Sequence, residues 1–140
     1  MGRLMVYFSV GSNSSGKLDE LKILIVEDDE HLRLNLIRYL SNQGYKVTGA
    51  SSGQQAIDLI RRDEYALMLT DIKLPDIDGI EILKYLQHID ARTECIVMTA
   101  YANLNTVLDA FHSGATDYLE KPFPLKVLER KIAKLNLFTS

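Results

Sequence analysis

KILIVEDDE, residues 22–30, is the stretch whose reading decides the fold. Its first five residues, Lys22 to Val26, form a continuous, β-branched apolar run, the pattern of a strand covered on both faces. Four acidic residues, Glu27, Asp28, Asp29 and Glu30, follow at once. Beyond them Leu32, Leu36 and Leu40 recur at four-residue spacing, which predicts a helix, and Gly44 terminates it. A doubly covered strand feeding directly into a helix is the building unit of a parallel sheet.

The same alternation runs down the chain. KVTGA, Lys46 to Ala50, is a second, weaker strand whose Gly49 places it near a sheet edge. Ser51, Ser52 and Gly53 supply capping chemistry for a helix carrying Ala56, Leu59 and Ile60. ALMLT, Ala66 to Thr70, is a third strand ending at Asp71, and the loop from Ile72 to Gly79 holds Pro75 and the turn pair Asp78-Gly79. Ile82, Leu86 and Ile89 mark a third helix, and CIVMT, Cys95 to Thr99, a fourth strand. Leu104, Val107, Leu108 and Phe111 form the cleanest helical stripe in the chain, and Gly114 ends that helix. Asp117 to Glu120 is a short fifth strand, and Leu125, Leu128, Ile132 and Leu135 form a last helix. The expected fold is therefore α/β, a doubly wound five-stranded parallel sheet with right-handed crossovers. Ligands of such sheets bind at the carboxyl ends of the strands.

Composition agrees with one globular domain: 140 residues, 46% hydrophobic and 25% charged. The formal charge of −3, from 16 basic and 19 acidic residues, gives no electrostatic drive toward nucleic acid. No apolar run approaches the ~20 residues of a membrane span. A single cysteine, Cys95, rules out an internal disulfide and suits a reducing, cytoplasmic compartment. Residues 1–20 stand apart: LMVYFSV, Leu4 to Val10, is followed by the linker-like GSNSSGK. They are expected to be an extension or linker, with a tag remnant or a mis-called start as origins. No small-x-small cleavage site follows to make them a signal peptide. The domain proper is expected over residues 21–137.

Chemistry gathers at the strand ends. Glu27 and Asp28 follow the first strand and Asp71 the third. Adjacent strands would bring these carboxylates together, and two unit charges ~4 Å apart repel by about 4 kcal/mol at an effective dielectric of 20. Such a cluster calls for a cation, and all-oxygen donors suit Mg²⁺. Thr99 adds a hydroxyl at the end of the fourth strand and Lys121 an ammonium after the fifth. A nucleophilic carboxylate beside a metal and an ammonium is suited to phosphoryl transfer.

The segments IVEDDE, LTDIKLPDIDGIEIL, IVMTAYA and DYLEKPF, in this order, resemble the motifs of response regulator receiver domains, the signalling switches of two-component systems. The resemblance runs from about Lys22 to about Asn136. It implies the flavodoxin-like strand order 2-1-3-4-5, which the periodicity alone does not supply. It also implies that Asp71 is the phosphoacceptor, that Asp28 ligates Mg²⁺ directly, that Glu27 acts through water, and that Lys73 offers its backbone carbonyl. Thr99 would hydrogen-bond the phosphoryl group and Lys121 pair with it. Thr99 and Tyr118 would be the switch pair, and Lys121-Pro122 a cis peptide. Glu27 stands where the family more often has Asp.

Implied partners are a sensor histidine kinase or phosphotransfer protein, and an effector domain or downstream protein. The latter would meet the face formed by the helix from Leu104, the fifth strand and the helix from Leu125, which is also where a homodimer would form on phosphorylation. The implied activity is a switch's own phosphoryl transfer and dephosphorylation, not turnover of a separate substrate.

Rival readings fit less well. A flavodoxin needs a Ser/Thr/Gly-rich phosphate loop where this chain has Glu-Asp-Asp. Hydrolases resembling the haloacid dehalogenases carry a second acid two residues after the nucleophile, where this chain has Lys73. A degenerate receiver acting as a phosphate-independent interaction module is the alternative closest to hand, and the intact set of five polar residues speaks against it. Asp29 and Asp76 read as capping or solvated acids, Asp78 as a turn residue, His31, His88 and His112 as solvated, and Cys95 as core.

Overall fold

The computed structural model describes residues 21–135 and 137, and the expectations for residues 1–20 lie outside the described residues. The strands are β1 (Lys22–Val26), β2 (Lys46–Ala50), β3 (Leu67–Asp71), β4 (Glu94–Thr99) and β5 (Asp117–Glu120). The helices are α1 (Glu30–Asn42), α2 (Gly53–Arg62), α3 (Gly79–His88), α4 (Leu104–His112) and α5 (Leu125–Ala133). All strand pairs are parallel and the order is β2-β1-β3-β4-β5. β2 sits at an edge, where Gly49 suggested it.

Because successive strand residues point to opposite faces, each strand feeds two cores. Ile23, Ile25, Leu67, Leu69, Ile96 and Met98 meet Leu36 and Leu40 of α1 and Leu128 and Ile132 of α5. Leu24, Val26, Met68, Cys95 and Val97 face the other side, with Ala56 of α2, Ile82, Leu83 and Leu86 of α3 and Ala110 of α4. Each fully buried leucine or isoleucine contributes roughly 1.5–3 kcal/mol. That burial in two layers explains why the strands read as continuous apolar runs.

Four of the five helix starts carry a side-chain cap from the residue just ahead of them, and α5 starts after Pro124 without one. Asp29 accepts from Leu32 N, Ser52 from Gln55 N, Asp78 from Ile80 N and Asn103 from Thr106 N. Asp29 and Asp78 are thus caps. At the other end of α1, Gly44 takes φ 102°, a left-handed conformation suited to glycine.

Several details differ from the sequence reading, among them Leu135, which falls just past the end of α5. β3 is shifted by one residue, so that Asp71 is its last member. Ile89 falls just past α3 and is exposed. The stripe on α4 also faces away from the sheet: Leu104 is 72% exposed, and Leu108 and Phe111 are exposed too. Such a stripe ordinarily marks an inward face. Here α4 seats on the small Ala110, its one buried residue, and the large apolar residues border solvent.

Candidate functional site

Sheet register builds the site. Val26 is paired with Thr70, so the next residues, Glu27 and Asp71, emerge side by side from β1 and β3. Glu27, Asp28 and Asp71 offer carboxylate oxygens within 4.8 Å of one another. Among the described residues this is the one cluster of acids, histidines or cysteines placed to hold a metal. His31, His88 and His112 are exposed on three separate helices. Cys95 is buried, and burial pushes its thiol up to about 12, which makes it an inert core residue.

Lys121 enters from the far edge. Thr99 pairs with Glu120, and Lys121 N–H donates to the Thr99 carbonyl at 2.8 Å. The Lys121-Pro122 peptide is cis. From there Nζ spans the end of β4 and donates to Glu27 Oε1 at 2.6 Å and to Asp71 Oδ2 at 2.8 Å. The remaining oxygens are also held: Glu27 Oε2 accepts from Asp29 N–H at 3.1 Å, and Asp71 Oδ1 from Lys73 N–H at 3.2 Å. Arg33 braces the same corner by donating to the Glu27 carbonyl at 2.8 Å.

The electrostatics follow from burial. Glu27 is 1% exposed. Its loss of water pushes the carboxyl above its usual range, against the opposing pull of Lys121 and Asp29 N–H, while the Asp71 charge adds to the rise. Burial alone would lower the Lys121 ammonium. The hydrogen bonds to Asp71 and Glu27 outweigh it, and the net shift is upward. Lys121 therefore stays cationic. Three carboxylates against one ammonium leave a formal charge of −2, which a divalent cation would balance. The donor set thus fits Mg²⁺.

A cleft of about 440 Å³ opens in front of Asp71, Thr99 and Lys121 and extends to Asn103 and Thr106 at the start of α4. The Thr99 hydroxyl accepts from Tyr101 N–H at 3.1 Å, which leaves its own proton to donate. Tyr118, on β5, lies away from the cleft. Its half-buried ring meets Phe111 edge-on, with centroids 6.3 Å apart, and Lys131 Nζ stands 5.7 Å from its centre.

Two features had no counterpart in the sequence reading, and a third was read only in kind. The Lys121 ammonium bonds Glu27 as closely as Asp71. Gly79 lies where a Cβ would come within 2.2 Å of the Asp71 carbonyl oxygen. Asp76, read as a capping or solvated acid, is a cap, but of the remote helix α2, accepting from Gly53 N–H and Gln54 N–H. The turn pair Asp78-Gly79 hinted at the second, through a glycine at a helix start, and the capping reading of Asp76 at the third without its partner helix.

Residues 23–133 match the model of the response regulator receiver domain. The chain belongs to that family. Among the curated relatives of this receiver domain is the sporulation initiation phosphotransferase F of Bacillus subtilis, 36% identical over 81% of this chain and 91% of its own length. The regulatory protein AtoC of Escherichia coli is 38% identical over 76% of this chain, which spans 23% of that longer protein. Solved structures agree. A two-component response regulator from Clostridium difficile superposes with a TM-score of 0.79 at 30% identity, covering 82% of this chain and 94% of that one. The response regulator TrrA of Thermotoga maritima, in complex with Mg²⁺-BeF, superposes with a TM-score of 0.74 at 29% identity, covering 82% and 98%. The receiver domain is a component of two-component signalling and, by family, a switch. No helix among the described residues is long and apolar enough to cross a membrane.

Proposed function

We propose that Asp71 accepts a phosphoryl group from the phosphohistidine of a sensor histidine kinase or phosphotransfer protein in the cytoplasm. The observation that carries this reading is the meeting of Asp71, Glu27, Asp28 and Lys121 at one corner of the sheet, three carboxylates against one ammonium, with Asp71 and Lys121 also lining the cleft. An Asp71 carboxylate oxygen attacks phosphorus. An O–P bond forms, the P–N bond to the donor's imidazole breaks, and its electron pair leaves with the nitrogen. Lys121 moves from pairing carboxylates to pairing the phosphoryl oxygens, and the Thr99 hydroxyl donates to another. Asp28 and Asp71 would hold Mg²⁺ directly, Glu27 through water and Lys73 through its backbone carbonyl. When bound, the ion supplies neutralising charge for the transferred group. Water later hydrolyses the acyl phosphate and resets the switch. The receiver unit is residues 21–137.

A small phosphodonor with Mg²⁺ is expected to add one phosphoryl group, read by intact mass, and a chelator to prevent it. Equal uptake in the presence of the chelator defeats the metal assignment. A degenerate receiver would take up no phosphate under either condition.

The output is proposed to leave through Thr99 and Tyr118. Once Thr99 is drawn to the phosphoryl group, space opens behind it between β4 and β5, and the Tyr118 ring moves to fill it. That motion alters the face made by α4, β5 and α5, where Leu104, Leu108, Phe111 and Leu125 are already exposed. An effector domain, a downstream protein or a second receiver would bind there. The coupling is on the order of 1–3 kcal/mol. Thr99→Ala is expected to leave phosphate uptake at Asp71 while suppressing the spectral change around Tyr118. Wild-type amide shifts in the phosphorylated variant would show that the signal takes another route.

A further inference from the structure

The loop between β3 and α3 is tied to a helix that is remote in sequence. Asp76, at its tip, accepts hydrogen bonds from Gly53 N–H and Gln54 N–H at 2.8 Å each, across 23 and 22 residues. These are free donors at the start of α2. A third, on Gln55, is taken by the Ser52 hydroxyl at 3.2 Å. Two oxygens of one carboxylate thus serve two N–H groups where the helix dipole favours negative charge. Those bonds hold the Asp76 carboxyl below its usual range. The approach is close: a Cβ on Gly53 would stand 2.2 Å from Ile77 Cγ1 and 3.3 Å from Asp76 Oδ1. Only a glycine admits the loop at this distance.

At its base the same loop is closed by the Lys73–Asp78 bridge and by Gly79 N–H donating to the Ile72 carbonyl at 2.7 Å. Lys73 N–H in turn fixes Asp71 Oδ1. The path from α2 to the acceptor carboxylate therefore runs through Asp76 and one short, closed loop.

We infer that Asp76 is a positioning residue. It fastens the loop to the first turn of α2 and so sets the place of Lys73, whose amide orients Asp71 and whose carbonyl belongs to the metal donor set. The inference rests on the reading of that site under Proposed function.

The test compares Mg²⁺ titrations of wild type, Asp76→Ala, Asp76→Asn and Ser52→Ala, followed by amide spectra. Groups that bond a metal ligand directly cost roughly 10–100-fold in affinity when removed. Asp76 acts one step further out, so Asp76→Ala is expected to weaken Mg²⁺ binding about three- to ten-fold. Asp76→Asn, with one acceptor oxygen, should fall between it and wild type. Ser52→Ala removes a cap from the same helix without touching the loop and should bind like wild type. In the metal-free protein, Lys73 and Gly79 amides should exchange faster in Asp76→Ala and not in Ser52→Ala, although neither amide bonds Asp76. Wild-type affinity and exchange in Asp76→Ala would overturn the inference. So would an equal loss in Ser52→Ala, which would trace the effect to the stability of α2. A wild-type protein that binds no Mg²⁺ sinks instead the reading of the site, and the exchange rates then decide the brace alone.

Discussion

Asp71→Asn is expected to abolish phosphate uptake while leaving the fold in place. The carboxylate at this position accepts from Lys73 N–H through one oxygen and from the Lys121 ammonium through the other. An Asn carbonyl can keep the first bond, but its NH₂ then faces the ammonium, donor against donor. Lys121 retains Glu27 at 2.6 Å, and the variant removes one of three mutually repelling charges. These terms oppose each other, so the stability change should stay within about 2 kcal/mol of wild type. Chemistry is not buffered in the same way. A neutral amide is a poor nucleophile and cannot form the acyl phosphate. The expected intact-mass result is no phosphorylated species after exposure to donor and Mg²⁺, with an unchanged far-ultraviolet circular dichroism spectrum. A phosphoryl group still present on the Asn variant would falsify the assignment of Asp71 as acceptor.

The architecture was legible because a sheet covered on both faces writes its strands as unbroken apolar runs. Val26, Asp71 and Thr99 end three of those strands, and a parallel sheet places such ends along one edge. Proximity of Glu27, Asp28 and Asp71 therefore followed from strand adjacency. Local pattern alone could not order the strands; that came with the family resemblance. The α4 stripe shows a different limit. Leu104, Leu108 and Phe111 have the spacing of a core-facing surface, yet they border solvent while Ala110 packs inward. Periodicity reports which residues share a face, not whether the face meets the core or a partner. The Asp76 cap and the Lys121–Glu27 pair span 22 or more residues and 94 residues. No local spacing encodes contacts of that kind, since they depend on how loops and long side chains settle once the sheet exists.

Gly79→Ala is expected to be the most damaging conservative change near the site. Helix propensity alone would favour alanine over glycine by roughly 1 kcal/mol in a helix interior. Space decides against it. A Cβ on Gly79 would lie 2.2 Å from the Asp71 carbonyl oxygen, and 3.1 Å from both the Asp71 carbonyl carbon and Ile72 Cα. All three are backbone atoms, so no side-chain rotation relieves the overlap. Either α3 withdraws from the sheet, exposing Ile82, Leu83 and Leu86, or the end of β3 shifts and takes Asp71 with it. Overpacking of this kind costs about 3 kcal/mol, which for a domain of this size lowers Tm by about 10 °C. Gly49→Ala supplies the contrast. Its Cβ would meet Ile37 Cδ1 at 2.7 Å and Arg33 Cδ at 3.3 Å, both on side chains that can turn aside, so less than about 1 kcal/mol should be lost. Thermal unfolding of the two variants separates a backbone clash from a yielding one. Equal melting temperatures would mean that the junction of β3 and α3 has more freedom than its packing allows. If Gly79→Ala also takes up phosphate more slowly at temperatures where it is fully folded, then the same contact that sets stability also holds Asp71 in register with Lys121.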